Sequence, residues 1–383
     1  MFKRDNYLFL LVSLLLLSVN TRGISLLENK QSEIKQLEKF ALNIQESIEN
    51  GNPSYLNLSF DIDAFLQKII TENSFPDDTA FNKGFQEGLH NNFDIGAMIV
   101  DEIKQNGKYS FLHVYQKEGT YFLLFRLFTN NGINYHEFEV KKDNDKFKII
   151  DAYLFLSGEK MSETIARIYN SFRLLNSASA PNSYKYLQAL SELGETKALA
   201  SKGKYSKAYK KWQTLASNFM EDKLFLMTGI QIASYLDDKT YLKTYNEFVL
   251  NYPNNSGKYL IPLNGFLVHK NYAMAMACID SLDKSLDNDP MLNYVRGNLL
   301  YEMGDYTEAA KKMSVLIESV PDFETAYYSL LSLYVKDKNY LEATHLLDKI
   351  VFTFNYYKDD FSPILKEYPE FINSKEYQAW LNQ

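Results

Sequence analysis

The chain has 383 residues, a formal charge of −7, 46% hydrophobic and 23% charged residues. This is the composition of an ordinary globular protein of two or three domains, and it argues against nucleic acid as a partner, because phosphate binding needs a concentrated basic surface. Cys278 is the single cysteine, which excludes an intramolecular disulfide.

The chain opens with Lys3 and Arg4, a mostly apolar run from Leu8 to Val19, and polar Asn20, Thr21 and Arg22. A basic start, a short apolar core and a polar exit form the pattern of a secretory signal, too short for a comfortable span of ~20 residues. Residues 1–23 are therefore expected to be a signal peptide, the alternative being an uncleaved anchor. The expected product is an exported protein, periplasmic or secreted and of bacterial type, with no stable membrane insertion after cleavage.

Residues 24–176 read as an α+β domain. Ile34, Leu37, Phe40, Ala41, Ile44 and Ile48 recur at spacings of three and four, the apolar face of a helix that ends at Gly51 and Pro53. Asp61 is placed to cap a short helix over Ala64 to Ile70, and one longer helix is expected over residues 79–105. The pattern then changes to period two. Strands are expected over residues 109–116, 121–129, 133–141 and 146–155, separated by short turns such as Lys117-Glu118-Gly119-Thr120 and Asn130-Asn131-Gly132. The phase slips between Tyr135 and Phe138, which predicts a bulge near His136. Short turns imply an antiparallel meander.

Helices followed by such a sheet, with Phe147-Lys-Ile-Ile-Asp151-Ala-Tyr and then Gly158-Glu at its end, resemble exported NTF2-like or cystatin-like domains. The resemblance implies a curled four-stranded antiparallel sheet closed into a cone by helices. Phe111, Tyr121, Leu123, Phe125, Tyr135 and Phe138 would then line or fill that cone.

After a helix over Met161–Leu175, residues 177–183 are small, polar and contain Pro181, which reads as a linker. Beyond it, Tyr272, Tyr306 and Tyr340 recur at intervals of 34 residues, and Ala275, Ala309 and Ala343 share the interval. Tyr205 with Ala208, and Tyr241 with Thr244, are looser copies. The best copy reads Gly297, Leu300, Gly304-Asp305-Tyr306, Ala309, Met313, Leu316 and Pro321. It resembles the tetratricopeptide repeat (TPR), with Asn293 and Arg296 standing where that family has apolar residues. The next copy keeps Tyr327, Leu330, Tyr334, Tyr340, Ala343 and Ile350. The resemblance implies an all-α TPR superhelix over residues 184–383, with a capping helix near Leu365 to Leu381.

No residue set specifies a reaction. The five histidines, His90, His113, His136, His269 and His345, stand in no metal-ligand spacing. His113 and His136 sit on neighbouring strands and could face one cavity. Cys278 reads as a small buried hydrophobe. No catalytic, cofactor-binding or metal site is assigned, and no cofactor is expected. Stacked helix pairs expose a groove on their first helices, where Tyr294, Asn298, Tyr301, Tyr328 and Ser332 are the candidates for binding a protein or peptide. The expected function is an exported, non-catalytic protein-binding scaffold. The alternative is a carrier or sensor that holds an apolar ligand in the N-terminal cone and docks through the array.

Overall fold

The computed structural model describes residues 30–76, 78–104, 107–129, 132–144, 146–176, 180–216, 218–219, 222–253, 257–361 and 365–382. The expected signal peptide lies outside them. The chain divides into two compact units, which meet at Gly194 and Glu195.

In the first unit, α1 covers residues 30–49 and buries Leu37, Ala41, Ile44 and Ile48 completely, at the helical spacing of their sequence. It ends before Gly51, whose φ of +73° suits a residue without Cβ. Two helices follow, α2 (Ser54–Ser59) and α3 (Ile62–Glu72). Asp61 caps α3 by accepting from the Ala64 amide at 2.9 Å.

The single helix expected over residues 79–105 is in fact two, α4 (Thr79–Asn92) and α5 (Ile95–Ile103). The break belongs to Asp94, which leaves helical geometry and caps α5 through the Ala97 amide at 2.9 Å. A Cβ on Gly96 would stand 2.5 Å from the Pro53 carbonyl oxygen, so the bare glycine lets α5 approach the start of α2.

The strands are β1 (Lys108–Lys117), β2 (Thr120–Thr129), β3 (Gly132–Asp143), β4 (Lys146–Leu154) and β5 (Glu159–Lys160). They pair in chain order as a five-stranded antiparallel meander. Glu118 and Gly119, with φ of +52° and +85°, supply the left-handed pair of the first hairpin turn.

The curled four-stranded, NTF2-like cone is overturned. The sheet has a fifth strand and stays open, with β1 and β5 as its two edges. At two residues, β5 is too short to carry the sheet round to β1. The expected bulge near His136 is also absent, since β2 and β3 pair without interruption from Tyr121↔Val140 to Thr129↔Gly132. The register shifts lie at Phe111/His113 and Glu139/Val140. The phase appeared to slip because β3 buries both faces: Tyr135, His136 and Phe138 are all buried.

One core gathers the helices and a sheet face, from Leu37 of α1 to Phe65 of α3, Ile99 of α5, and Phe125, Phe138 and Ile149 of the strands. Helix α6 (Met161–Arg173) follows the sheet. Asp151, buried in β4, accepts from the Ser162 amide (3.1 Å) and hydroxyl (2.7 Å), and pairs with Lys68 of α3 at 3.2 Å. Glu159 takes Arg167 of α6 at 2.6 Å. The Asp151 and Gly158-Glu stretch, quoted above for an NTF2-like resemblance, thus ties α3 and α6 to the edge of an open sheet.

Of the expected linker, residues 177–179 lie outside the described set and 180–183 open α7 (Ala180–Ser201). Pro181 stands in its first turn, where a missing amide costs nothing.

The second unit is an array of helices: α8 (Tyr205–Ala216), α9 (Lys223–Ala233), α10 (Asp238–Asn251), α11 (Gly257–Val268), α12 (Tyr272–Ser285), α13 (Leu292–Glu302), α14 (Tyr306–Ser319), α15 (Glu324–Lys336) and α16 (Tyr340–Phe354). From α8 to α16 each helix packs on the next in the chain, the packing of a helical repeat. Tyr272, Tyr306 and Tyr340 are the first residues of α12, α14 and α16, and Ala275, Ala309 and Ala343 are fully buried. Asp305 and Asn271 cap their helices through the amides three residues on. Left-handed residues recur before these helices at Lys270, Gly304 and Lys338, so the turn repeats although only one copy carries glycine. A Cβ on Gly297 would meet Met313 Cε at 2.7 Å. Arg296, the polar departure from the repeat, reaches back to Asp280 (2.9 Å) and Asp283 (2.7 Å) of α12.

The array closes with α17 (Pro369–Ile372) and α18 (Lys375–Leu381), which bury Phe371, Tyr377 and Trp380. Trp380 Nε1 donates to Asp348 of α16 at 2.6 Å.

Candidate functional site

Tyr294, Asn298 and Tyr301 fall at i, i+4 and i+7 on α13, and Tyr328 and Ser332 at i and i+4 on α15, so each set shares one helix face. Asn298 is exposed; the other four are half-buried. Tyr294 meets Phe323 edge to face, with centroids 5.3 Å apart. Lys336 Nζ lies 4.2 Å from the centre of the Tyr301 ring, a cation–π contact. The Ser332 hydroxyl is 3.1 Å from that of Tyr368. Tyr328 sits beside Glu324 and Tyr356; burial first, and then the Glu324 carboxylate, push its hydroxyl well above the usual tyrosine range. Tyr356 donates to that same carboxylate at 2.6 Å. The aromatic members are thus held by the array itself, and Asn298 presents a bare amide.

Sequence reasoning missed one member of this face. Asn264 of α11 stands 34 residues before Asn298, and Ser332 stands 34 after it. Asn264 is exposed, and neither asparagine side chain has a hydrogen-bond partner among the described residues. The repeat interval that located the tyrosines would have found it.

The first unit offers no matching site. His113 pairs with Leu124 and His136 with Phe125, so adjacent β2 residues place the two histidines on opposite sheet faces, not on one cavity. Tyr135, opposite Arg126, likewise points away from the face of Phe125 and Phe138. Phe125 packs against Tyr109, Phe111 and Phe138 as solid core. The ligand-holding cone falls with the open sheet.

Two Asp–His pairs escaped the sequence, because their members are remote in the chain. Asp63 meets His90 at 2.9 Å, and Asp238 meets His269 at 2.5 Å. His269 stacks on the Tyr241 ring, and its Nε2 is buried without a hydrogen-bond partner, so this pair has no third member to activate. Burial pushes the Cys278 thiol up to about 12, which keeps it protonated. No cluster of three metal-ligating side chains occurs among the described residues.

No protein-family profile matches the chain, and no curated protein does. Among solved structures, a crystal structure of MamA protein shares 14% identity over 43% of this chain and 91% of its own, with a TM-score of 0.36. A second crystal structure of MamA shares 15% over 42% and 94%, with a TM-score of 0.35. A MamA RS-1 ArsTM double mutant shares 14% over 44% and 94%, with a TM-score of 0.37. TM-scores of this size do not establish a common fold, and the helical-repeat architecture rests on the packing described above.

Proposed function

We propose that the helical array is a non-catalytic scaffold that binds an extended polypeptide along the first helices α11, α13 and α15. The observation that carries this is the pair of exposed, unpartnered amides of Asn264 and Asn298, one repeat apart and in line with Ser332. Side-chain amides offer both a donor and an acceptor, which matches the backbone of an extended chain. Tyr294 and Tyr301 beside them give contact area at low entropic cost. The partner is a protein or peptide rather than nucleic acid or lipid. The signal-like residues 1–23 place the encounter outside the cytoplasm in this reading, and N-terminal sequencing of protein from its native host checks it: an intact Met1 overturns export by cleavage.

A photo-crosslinking side chain at position 298 should capture polypeptide in the native host, whereas the same group at exposed Glu318 should not. Asn264→Ala combined with Asn298→Ala should reduce capture by roughly tenfold while melting stays within about 2 °C, as for exposed side chains outside the core. Equal capture at both positions, or undiminished capture by the double variant, would sink the assignment.

A further inference from the structure

In the cap, the fully buried ring of Phe371 lies against the ring of Tyr340 with centroids 5.4 Å apart. One repeat earlier, 34 residues back in both cases, stand Asp337 and Tyr306. These two line an open cleft of about 530 Å³ between α14 and the end of α15. Its floor is apolar, with Ala310 and buried Leu333; Val315, on its wall, is 48% exposed. The cleft exists because a short acid stands where the cap supplies a ring. The preceding repeat carries Met303 at this position, so the acid is particular to this junction.

The rim is charged on one side. Lys311 is already paired with Glu308 at 2.5 Å. Asp337 is exposed, and its carboxylate has no ion-pair or hydrogen-bond partner among the described residues.

We propose that this cleft receives an aromatic side chain of a partner polypeptide, inserted as Phe371 is inserted in the cap, with an adjacent basic residue pairing with Asp337. The internal copy defines the ring, and the unpaired carboxylate defines its neighbour. The site lies away from Asn264 and Asn298 and does not depend on the first-helix reading.

The test titrates the full chain with a fluorescein-labelled Gly/Ser decapeptide containing one Phe-Lys pair, followed by anisotropy. The expected result is saturable binding below about 1 mM that weakens by roughly tenfold when the peptide Phe is replaced by Ala, the loss typical of a buried aromatic anchor. Ala310→Trp, which fills the cleft from α14, should abolish binding. Asp337→Phe, which closes it as the cap does, should abolish it too and serves should the tryptophan variant not fold. Asp337→Asn should weaken binding about threefold at low salt and hardly at all at high salt, as screening requires. Asn264→Ala with Asn298→Ala should leave this peptide's affinity unchanged. Absence of saturation, equal binding of the Ala peptide, or undiminished binding by a folded cleft-filling variant each overturns the proposal.

Discussion

The sheet unit and the helical array bury their side chains by opposite routes. In the sheet unit a single core draws together residues from Leu37 to Ala166, so each strand depends on helices far from it in sequence. In the array each helix is buried by its chain neighbours, and the same turn, cap and small-residue contacts recur pair by pair. A nearest-neighbour structure can lose one interface and keep the rest. A single core gathered from a whole unit has no such fallback, because its strands and helices share the same buried side chains.

The largest expected effect is therefore in the sheet. Phe125 is fully buried among Tyr109, Phe111 and Phe138, and Phe125→Ala should cost about 4 kcal/mol, the range for deleting a buried ring. Both tryptophans, Trp212 and Trp380, lie in the array, so their emission reports on that unit. The variant should lower protection of the β1 to β4 amides in hydrogen exchange as a block, with little movement of the tryptophan transition. Loss confined to β2 would contradict the single-core reading.

A second way to sharpen the contrast is pH. His136 is buried, with its Nδ1 3.3 Å from the Tyr109 hydroxyl, and burial lowers its pKa to about 4. The folded unit holds the ring neutral, whereas the unfolded chain takes a proton near pH ~6.5. Its contribution is thus complete above pH ~6.5, declines as pH falls, and is exhausted below about 4, for a total of roughly 3 kcal/mol. Urea titrations at pH 7.5, 5.5 and 4.5, read by strand amide protection, should show this slope in the parent chain and a shallower one in His136→Gln. Equal slopes would mean that another group dominates.

The array should fail locally. A Cβ on Gly265 of α11 would stand 2.1 Å from Tyr241 Cζ. Tyr241 cannot withdraw easily, since it is fully buried, donates to the Pro262 carbonyl at 2.6 Å and stacks on His269. Gly265→Ala should cost about 2 kcal/mol by overpacking. Exchange should rise across α10 to α12 and stay slow across α15 and α16. Uniform acceleration would show that the array unfolds as one block.

The same contrast explains what could be read from the sequence. The 34-residue interval places the starts of α12, α14 and α16 to the residue, because a left-handed turn, a cap and a buried alanine must each recur where the packing recurs. It misses Gly229 and Gly265, which sit off the interval although Trp212 and Tyr241 pack on them, because the connections around α9 and α10 differ in length. In the sheet the strands were legible but their faces were not: burial of both Tyr135 and His136 erases the alternation that assigns a face. No periodicity could reveal a two-residue β5 or tell an open sheet from a closed one. The small polar residues before Tyr184 had the composition of a linker, yet Pro181 fits a helix start as well as a turn. At the candidate site the helix faces of Tyr294 and Tyr328 followed from spacing, whereas their contacts with Phe323, Glu324 and Tyr356 are tertiary. The cleft at Asp337 is a missing ring, visible only once Phe371 is seen against Tyr340.

The smallest expected effect turns on the same chemical change as Gly265→Ala and should have the opposite sign. Gly84 and Gly88 lie in the interior of α4, one turn apart, exposed, and a Cβ on either meets nothing within 4 Å. Helical glycine is costly mainly because the unfolded chain gains freedom from it, so alanine at each should stabilise by about 0.5–1 kcal/mol. The helix is already anchored where its packing matters: Asp63 of α3 accepts from Gln86 at 2.6 Å and meets His90 at 2.9 Å, on a turn between the two glycines and just beyond them. Neither contact needs the glycines, so the paired Gly84→Ala, Gly88→Ala variant should raise the urea midpoint of the sheet unit without changing its slope. A lowered midpoint would show that α4 requires the backbone freedom of these residues, and that its exposed face does more than cover the end of α3.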